Sequence, residues 1–499
     1  MKRRDFLKQG LAAVAATHLP VALASELATS LPTARADWRL GWRSVEASEF
    51  SPMSLQIDGK LPDAVRGVLY RNGPAKTERA SVRYQHWFDG DGMIQRFVIG
   101  DGGIAHEGQF VQTDKFREEE AAGRFLYSAA GTVIHDGKGS RNNDSGNVAN
   151  TALLPWNDEL LALWEGGSAY RVDPETLATI GRKDWRDDLR HMPFSAHPLV
   201  DRDGSLWNFG SAPYAGRDGS IFIYQIGADG QVRKAQRVAT PTASYAHSFL
   251  MTDRWLVVYL GAHVFSRGAD TFVDAFQWTP DVGSRVLLID KEDLSQQKII
   301  EIPAGFVFHG AHAFDYGDDI IARVSLYADA GVMDSGMIAL MASAENENIE
   351  YPTFSRAYLA TLRISPKQGR AIVENTDTLM EFPGIDTRFG EESTRVFGVG
   401  HEDETHATTS DAIVAVDPET GTVDRYAFGE HHIVEEPLFV PDESDQPNAG
   451  WLVGTFLDYG REQSGVYVLN ASNLSDGPVA LARMDRALPL GFHGCFIAS

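Results

Sequence analysis

Past residue 150 the chain repeats one sequence motif, here called a phrase, in which an apolar strand, a tight polar turn and a second strand follow one another. The turns of six such phrases centre on Asp173, Asp229, Glu292, Pro366, Asp417 and Ser472. Successive spacings are 56, 63, 74, 51 and 55 residues, and a further strand pair precedes each phrase after the first. Alternating β-rich residues bounded by Gly, Asp, Pro and Asn are typical of hairpins, so each unit is about four strands long.

An N-terminal unit in GVLYRNGPA, GMIQRFVIG and GQFVQTDKF raises the number of units to seven. Repeated four-stranded sheets predict an all-β fold, a seven-bladed β-propeller. Chain ends usually fray, yet this chain closes on the apolar run GFHGCFIAS. We therefore expect the last segment to be a strand that completes the first blade, so that the two termini share a blade. Two or three β-sandwiches in series are the alternative, which fits the spacing less well.

Two longer segments interrupt the repeat, at residues 264–280 and 337–354. Both are rich in aromatic or aliphatic residues, and we expect them to form a cap of inter-blade loops and short helices over one end of the propeller. The cap would surround an apolar entrance tunnel. The prediction for the folded part is a single domain over residues 37–499.

The first 36 residues have a different composition. Arg3 and Arg4 precede Phe6-Leu7-Lys8 and a mildly apolar, Ala-rich stretch, which is typical of a twin-arginine export signal. Small-x-small cleavage sites occur at residues 22–24 and 34–36, and we favour the second; an uncleaved anchor is the alternative. The interpretation predicts a twin-arginine signal peptide over 1–36, the export machinery as a partner, and a periplasmic or exported protein.

The charge and the cysteine content limit the kinds of partner and metal site that the protein can have. The formal net charge of -24 argues against a nucleic-acid partner. The single cysteine, Cys495, forms no internal disulfide and no thiolate zinc cluster, so a metal would depend on His and carboxylate ligands.

Histidines recur at one point of the repeated phrase, just before a turn and an apolar strand: His197, His247 and His309. The first strand of each propeller blade lines the central channel, so equivalent residues on successive blades converge. His493 in the terminal segment supplies a fourth imidazole. Four imidazoles without a thiolate suit a borderline divalent metal such as Fe(II), Cu or Zn.

Metal-bound imidazoles usually donate their second N–H to a carboxylate. Glu165, Glu381 and Glu436 lie beside matching apolar strands and are the candidates, although the neighbouring Glu435 competes with Glu436. The string His-Glu-Asp at 401–403 resembles part of a facial triad, and we interpret it as a solvated loop.

These residues resemble the carotenoid cleavage oxygenases, a family that includes apocarotenoid and stilbene oxygenases and the retinal pigment epithelium isomerase. The resemblance covers nearly everything after the signal: RNGP at 71–74, HWFDGDGMI at 86–94, the four histidine segments, EFPGID, EEPLFVP and the terminal FHG. It implies a seven-bladed propeller that holds Fe(2+) with His197, His247, His309 and His493. It also implies Glu165, Glu381 and Glu436 as hydrogen-bond partners of three of the histidines.

The resemblance has further implications for single residues. His309 rather than His312 is the ligand in FHGAH. The calcium-like FDGDGM segment is a structural turn. No organic cofactor and no catalytic residue beyond the metal centre are implied.

The implied reaction is cleavage of an electron-rich carbon-carbon double bond by O2, which gives two carbonyl products. Relatives that cleave phenolic alkenes typically hold the phenol with a tyrosine and a lysine near the first blade. Here His106 stands where we expect that tyrosine, and RNNDSGNVANT contains no lysine. We therefore favour an apocarotenoid or similar polyene, an apolar small molecule whose uptake is compatible with transient membrane contact.

Two alternatives stay open. The first is a stilbene- or phenylpropanoid-cleaving oxygenase. The second is a non-catalytic periplasmic propeller that binds a ligand or partner, in which the histidines hold a structural metal.

Overall fold

The computed structural model describes residues 37–344, 352, 355–390, 393, 395–402 and 410–499. One compact unit spans Trp38–Ser499. The predicted signal peptide at 1–36 lies outside the described residues, so both the signal and the domain boundary at residue 37 stay predictions. In the described part, no helix has the length and apolar character that a membrane span requires.

Seven antiparallel sheets form the seven blades of a β-propeller, which confirms the predicted fold class. Blade 1 consists of Glu49–Ser54, Gly103–Phe110, Asp91–Gly100, Gly67–Lys76 and His493–Ala498. Blade 2 consists of Ala152–Trp156, Glu159–Leu163, Tyr170–Val172 and Thr179–Arg182. Blade 3 consists of Leu199–Val200, Leu206–Ala212, Ser220–Ile226 and Val232–Ala239. Blade 4 consists of Phe249–Met251, Trp255–Leu260, Ser284–Asp290 and Gln297–Ile302.

The remaining blades repeat this arrangement. Blade 5 consists of Phe306–Tyr316, Asp319–Tyr327, Ala357–Ser365 and Arg370–Leu379. Blade 6 consists of Glu381–Gly384, Val396–Gly400, Ala412–Asp417 and Thr422–Ala427. Blade 7 consists of His432–Val434 and Leu438–Pro441, which both pair with Gly450–Asp458, then Gln463–Asn470, Pro478–Arg483 and Gln56–Gly59.

Helices and two short strand pairs complete the described secondary structure. The strand pairs are His263–Phe265 with Phe276–Trp278, and Glu78–Arg79 with Val82–Arg83. The α-helices are Asp114–Ala122 and Met337–Ser343, and a π-helical turn spans Val332–Gly336. The 3-10 turns are Trp38–Trp42, Asp63–Val65, Trp87–Asp89, Asn143–Gly146, Asp187–Leu189, Pro280–Val282 and Leu474–Asp476.

The apolar core lies between neighbouring blades, because each sheet packs on both faces. Blades 4 and 5 meet through Val257, Leu288, Val324 and Leu362, all of which are buried. Middle strands such as Ala412–Asp417 are accordingly apolar along nearly their whole length. Outer strands carry polar residues on their exposed positions. This difference between middle and outer strands produces the repeated phrase in the sequence.

Both ends of the chain close the ring. The last strand pairs with the strand Gly67–Lys76 in a register that sets His493 opposite Asn72, which confirms the shared blade. A Cβ atom at Gly494 would lie 2.2 Å from the carbonyl oxygen of Tyr70, so the close strand contact requires glycine there. A second closure was not predicted: the early strand Gln56–Gly59 adds an edge to blade 7.

The two inserts contribute to a cap beside the inner ends of blades 4 and 5, as predicted. Phe276 from the first insert packs in one cluster with Val332, Met333 and Met337 and with Phe306 of blade 5. The π-helical turn Val332–Gly336 precedes the second insert and leads directly into the helix Met337–Ser343. Residues 345–351 and 353–354 of the second insert lie outside the described residues.

Candidate metal centre

The four predicted histidines meet at one point. His197 and His247 precede the first strands of blades 3 and 4, His309 lies in the first strand of blade 5, and His493 begins the last strand of blade 1. One nitrogen of each ring can be chosen so that all four lie within 4.8 Å of one another. Repeat-equivalent positions on four blades thus bring four imidazoles together.

Three of the histidines have carboxylate partners, and each partner is a predicted glutamate. The Nδ1–carboxylate distances are 2.8 Å for His247 to Glu165, 2.6 Å for His309 to Glu381 and 2.9 Å for His493 to Glu436. These glutamates belong to blades 2, 6 and 7, so each of the seven blades supplies one residue to the site. Because Nδ1 of each imidazole faces its carboxylate, Nε2 is the nitrogen that faces the centre.

His197 is different, since no described carboxylate contacts its ring. Its Nε2 lies 2.9 Å from Nε2 of His247, and its backbone N–H donates to the Ser195 hydroxyl. Burial lowers the pKa of His197 well below its usual value, and the neighbouring His493, His247 and His309 lower it further. A neutral imidazole keeps a lone pair free for a metal.

The glutamates are themselves held in place. Tyr245 donates its hydroxyl to Glu165 at 3.1 Å, and burial beside this carboxylate raises the pKa of Tyr245. The Arg71 guanidinium and the Gly494 N–H both donate to Glu436, at 2.8 and 2.9 Å. Neither Tyr245 nor the role of Arg71 was predicted. Their signals, the Tyr-Ala-His and Arg-Asn-Gly-Pro strings, were visible but carried no indication of what they contact.

The choice between Glu435 and Glu436 is settled by geometry in favour of Glu436. The Glu435 carboxylate accepts from the Thr455 hydroxyl at 2.6 Å and from the Gly491 N–H at 2.5 Å. It therefore ties the strand Gly450–Asp458 to the segment that precedes His493 and contacts no histidine ring of the cluster.

The residues fit a bound transition metal. Two nitrogens that bind one ion at about 2 Å each lie no more than about 4 Å apart, which is close to the observed spacing. Nε2 of His309 is buried and has no hydrogen-bond partner, although buried polar atoms are normally paired. Four imidazoles, three of which have Nδ1 beside a carboxylate, make a donor set that a divalent transition metal satisfies.

An apolar cavity opens above the histidines. Its described lining combines the site residues with aromatic and aliphatic side chains: Trp42, Trp87, Phe88, Thr151, His247, Phe308, His309, Tyr327, Val332, Met337, Leu340, Glu381, Phe382, Val399, Ser410, Ile433, Val434, Glu435, Glu436, Leu490, Gly491, Phe492 and His493. Cap residues thus form one wall, and His247, His309 and His493 form the floor together with Glu381 and Glu436.

The calcium-like segment is a structural turn, in agreement with the sequence interpretation. Asp89 accepts from the Gly131 N–H and the Thr132 hydroxyl, at 2.8 and 2.6 Å. Asp91 pairs with Lys115 at 2.8 Å and with the buried Arg79. These carboxylates have protein partners, and the turn presents Trp87 to the cavity.

Other candidate residues lie elsewhere. His312 is buried beside Arg323 at 3.4 Å and stacks on Phe314, outside the histidine cluster. His401 is not in the cluster either, and its carbonyl oxygen accepts from Arg425. The third residue of that string, Asp403, falls outside the described part of the chain.

His106 does not line the cavity. It is buried in blade 1, where it contacts Gln95 at 2.8 Å and packs on Phe97. Burial lowers its pKa to about 3, so the ring is neutral at ordinary pH. The expectation that this position reports on the substrate was therefore wrong, because its side chain faces the blade interior.

Comparison with known proteins agrees with this site. The family model described as retinal pigment epithelial membrane protein, which covers the carotenoid oxygenases, matches residues 42–498. The chain belongs to this carotenoid oxygenase family. Apocarotenoid-15,15'-oxygenase of Synechocystis is 28% identical to it over 93% of this chain and 98% of the relative. Isoeugenol monooxygenase of Pseudomonas nitroreducens is 25% identical over 91% and 95%.

The fold comparison gives the same result. The crystal structure of the cobalt-substituted Synechocystis oxygenase superimposes with a TM-score of 0.82 at 25% identity, over 93% of this chain and 98% of that chain. This carotenoid oxygenase family member is therefore an enzyme of the carotenoid-cleavage type, an alkene-cleaving oxygenase.

Proposed function

We propose that this oxygenase binds one Fe(2+) at His197, His247, His309 and His493 and cleaves a double bond of an apocarotenoid or similar polyene. The observation that carries the proposal is the convergence of four imidazole nitrogens, three of whose rings, those of His247, His309 and His493, line an apolar cavity. One O2 adds across one carbon-carbon double bond, so that two carbonyl products account for all atoms and no further reductant is needed.

Each part of the site has a role in the proposed reaction. The iron, when bound, supplies the redox chemistry that allows O2 to react with an electron-rich alkene. The four imidazoles hold it without adding negative charge, and Glu165, Glu381 and Glu436 fix the orientation of three rings. The apolar walls exclude water and bury the alkene beside the metal position.

The polarity of the cavity supports a polyene. In the described lining, the hydroxyl groups come from Thr151, Tyr327 and Ser410, and no lysine or arginine is present. Burial beside Glu381 raises the pKa of Tyr327 well above its usual value, so this hydroxyl stays protonated. A linear polyene requires mainly apolar surface, which most of the described lining provides.

A phenolic alkene is the second candidate, supported by the similarity to an isoeugenol monooxygenase. Oxygen-uptake assays with apocarotenals and with isoeugenol or hydroxystilbenes separate the two. We expect uptake with an apocarotenal and two carbonyl products that together retain its carbon skeleton. Oxygen uptake with the phenolic alkenes alone would show that a phenolic alkene, and not a polyene, is the substrate. No uptake with any alkene by the iron-loaded protein would favour the non-catalytic propeller.

We also propose that the chain is exported through the twin-arginine route, with residues 1–36 as the signal. The support is the Arg3-Arg4 pair before the apolar stretch. A variant with both arginines changed to lysine should remain in the cytoplasm of a host that exports the unchanged chain. Equal distribution of the two proteins between fractions would contradict the proposal.

A further inference from the structure

Phe382 has an unusual backbone for its position. Its φ of 51° lies in the left-handed region, where a bulky side chain is rare and costly. Among the described residues that line the cavity, it is the one non-glycine residue with a positive φ. Backbone strain that persists beside a functional site suggests that the resulting side-chain placement is used.

A β-bulge accompanies this conformation. In the strand pairing of blade 6, Glu381 lies opposite Val399 and Gly384 lies opposite Phe397, with an irregular register between them. The bulged strand therefore carries one more residue than its partner across this interval. Bulges next to active sites commonly redirect a side chain.

The redirected ring lies against two proposed ligands. The Phe382 ring stacks on His309 with a centroid distance of 5.0 Å and an interplanar angle of 25°. Its centroid is 5.1 Å from that of His493, and the ring lines the cavity. The Phe382 N–H donates to the Glu381 carboxylate at 2.6 Å. The bulge and the positive φ thus place a hydrogen-bond donor against the Glu381 carboxylate and an aromatic face beside His309 and His493.

The ring is not needed for a histidine–glutamate pair to form. Glu165 is followed by Gly166, and Glu436 is followed by Pro437, yet both glutamates contact their histidines at comparable distances. The backbone N–H of Phe382 would also remain with any side chain other than proline. The aromatic ring therefore serves something other than the pairing.

We infer that the Phe382 ring is the platform on which the reacting double bond lies, and that it determines which double bond of a conjugated substrate is cleaved. The inference rests on the proposed function. Conjugated alkenes are planar, and an aromatic face beside the metal position favours offset stacking of such a molecule in a fixed orientation. Without the ring, neighbouring double bonds could occupy the same place.

The test compares Phe382→Leu and Phe382→Met with Phe382→Tyr, which keeps the ring. The matched control is Phe88→Leu, since Phe88 lines the cavity but makes no ring contact with the four histidines. Two quantities are measured: the ratio of cleavage products from an apocarotenal, and the affinity of each cobalt-loaded protein for that apocarotenal. Metal content is measured for every variant.

We expect Phe382→Leu and Phe382→Met to bind the polyene about three- to tenfold more weakly, a loss that matches an aromatic contact. They should also spread cleavage over adjacent double bonds while retaining the metal. Phe382→Tyr should keep the wild-type product ratio, and Phe88→Leu should weaken binding without changing that ratio.

Unchanged affinity and product ratio in the leucine and methionine variants would overturn the inference and leave the proposed function intact. So would an equal change of product ratio in Phe88→Leu. A wild-type protein that binds the apocarotenal but does not cleave it would refute the proposed function, while the affinities would still test the platform. A wild-type protein that neither binds nor cleaves it would refute both.

Discussion

The floor and the roof of the cavity are built on different principles. The floor belongs to a cluster that takes one histidine or glutamate from each of the seven blades, and three histidine–glutamate pairs of this cluster are fixed by hydrogen bonds of 2.6 to 2.9 Å. The wall formed by cap residues, here called the roof, includes Val332, Met337 and Leu340 around the start of the second insert and is held by apolar packing. In the proposed function the floor holds the metal, whereas the roof determines the fit of the substrate. Substitutions in the two regions should therefore separate metal loss from weakened substrate binding.

The largest effect is expected on the floor, for His309→Ala. Losing one of four ligands should remove most of the bound metal, because the three remaining nitrogens leave the ion incompletely ligated. Metal analysis and oxygen uptake measure the loss. His312→Gln is the matched control: it changes a buried histidine three positions further along the same strand and should retain its metal. Equal metal content in both variants would contradict the assignment of the floor.

A smaller effect is expected for Glu381→Gln. Removing the charge that orients His309 should lower metal affinity or activity by about 10- to 100-fold, as for other hydrogen-bond partners of metal ligands. Competition with a chelator measures the affinity. Glu435→Gln is its counterpart, since Glu435 lines the cavity but contacts no clustered histidine, and its metal affinity should change less. If the Glu435 variant loses metal more readily, the functional roles of the two carboxylates are wrongly assigned.

The smallest of the three effects is expected in the roof, for Leu340→Ala. Losing apolar contact equivalent to one or two methylenes of the substrate, at about 0.8 kcal/mol each, should raise KM about four- to fifteenfold. Metal content should not change. The control is Leu359→Ala in blade 5, which lies outside the cavity lining and should lower thermal stability with KM preserved. Loss of metal in the Leu340 variant would show that floor and roof are not separable.

The same contrast explains what could be predicted from the sequence. The sequence could predict three of the histidines because a repeat places them at equivalent points: His197, His247 and His309. It could predict His493 because ring closure requires a final strand. Periodicity alone could not distinguish Glu436 from the adjacent Glu435; the family resemblance implied Glu436, and this is the carboxylate that contacts His493.

Other features depend on contacts that periodicity does not encode. The orientation of Phe382 results from a bulge and a positive φ, neither of which alters the apolar pattern. The edge strand Gln56–Gly59 pairs with a strand more than 400 residues away in the sequence. The alternating pattern of the strand Gly103–Phe110 does not show which of its faces is packed, and His106 lies on a buried face.

Whether the four clustered histidines form an iron site is decided by the metal content of the protein purified without oxygen. We expect about one iron per chain, held by the four clustered imidazoles, and oxygen uptake by the same sample when an alkene is added. Zinc in place of iron, or no stable metal after reconstitution with Fe(2+), would contradict it.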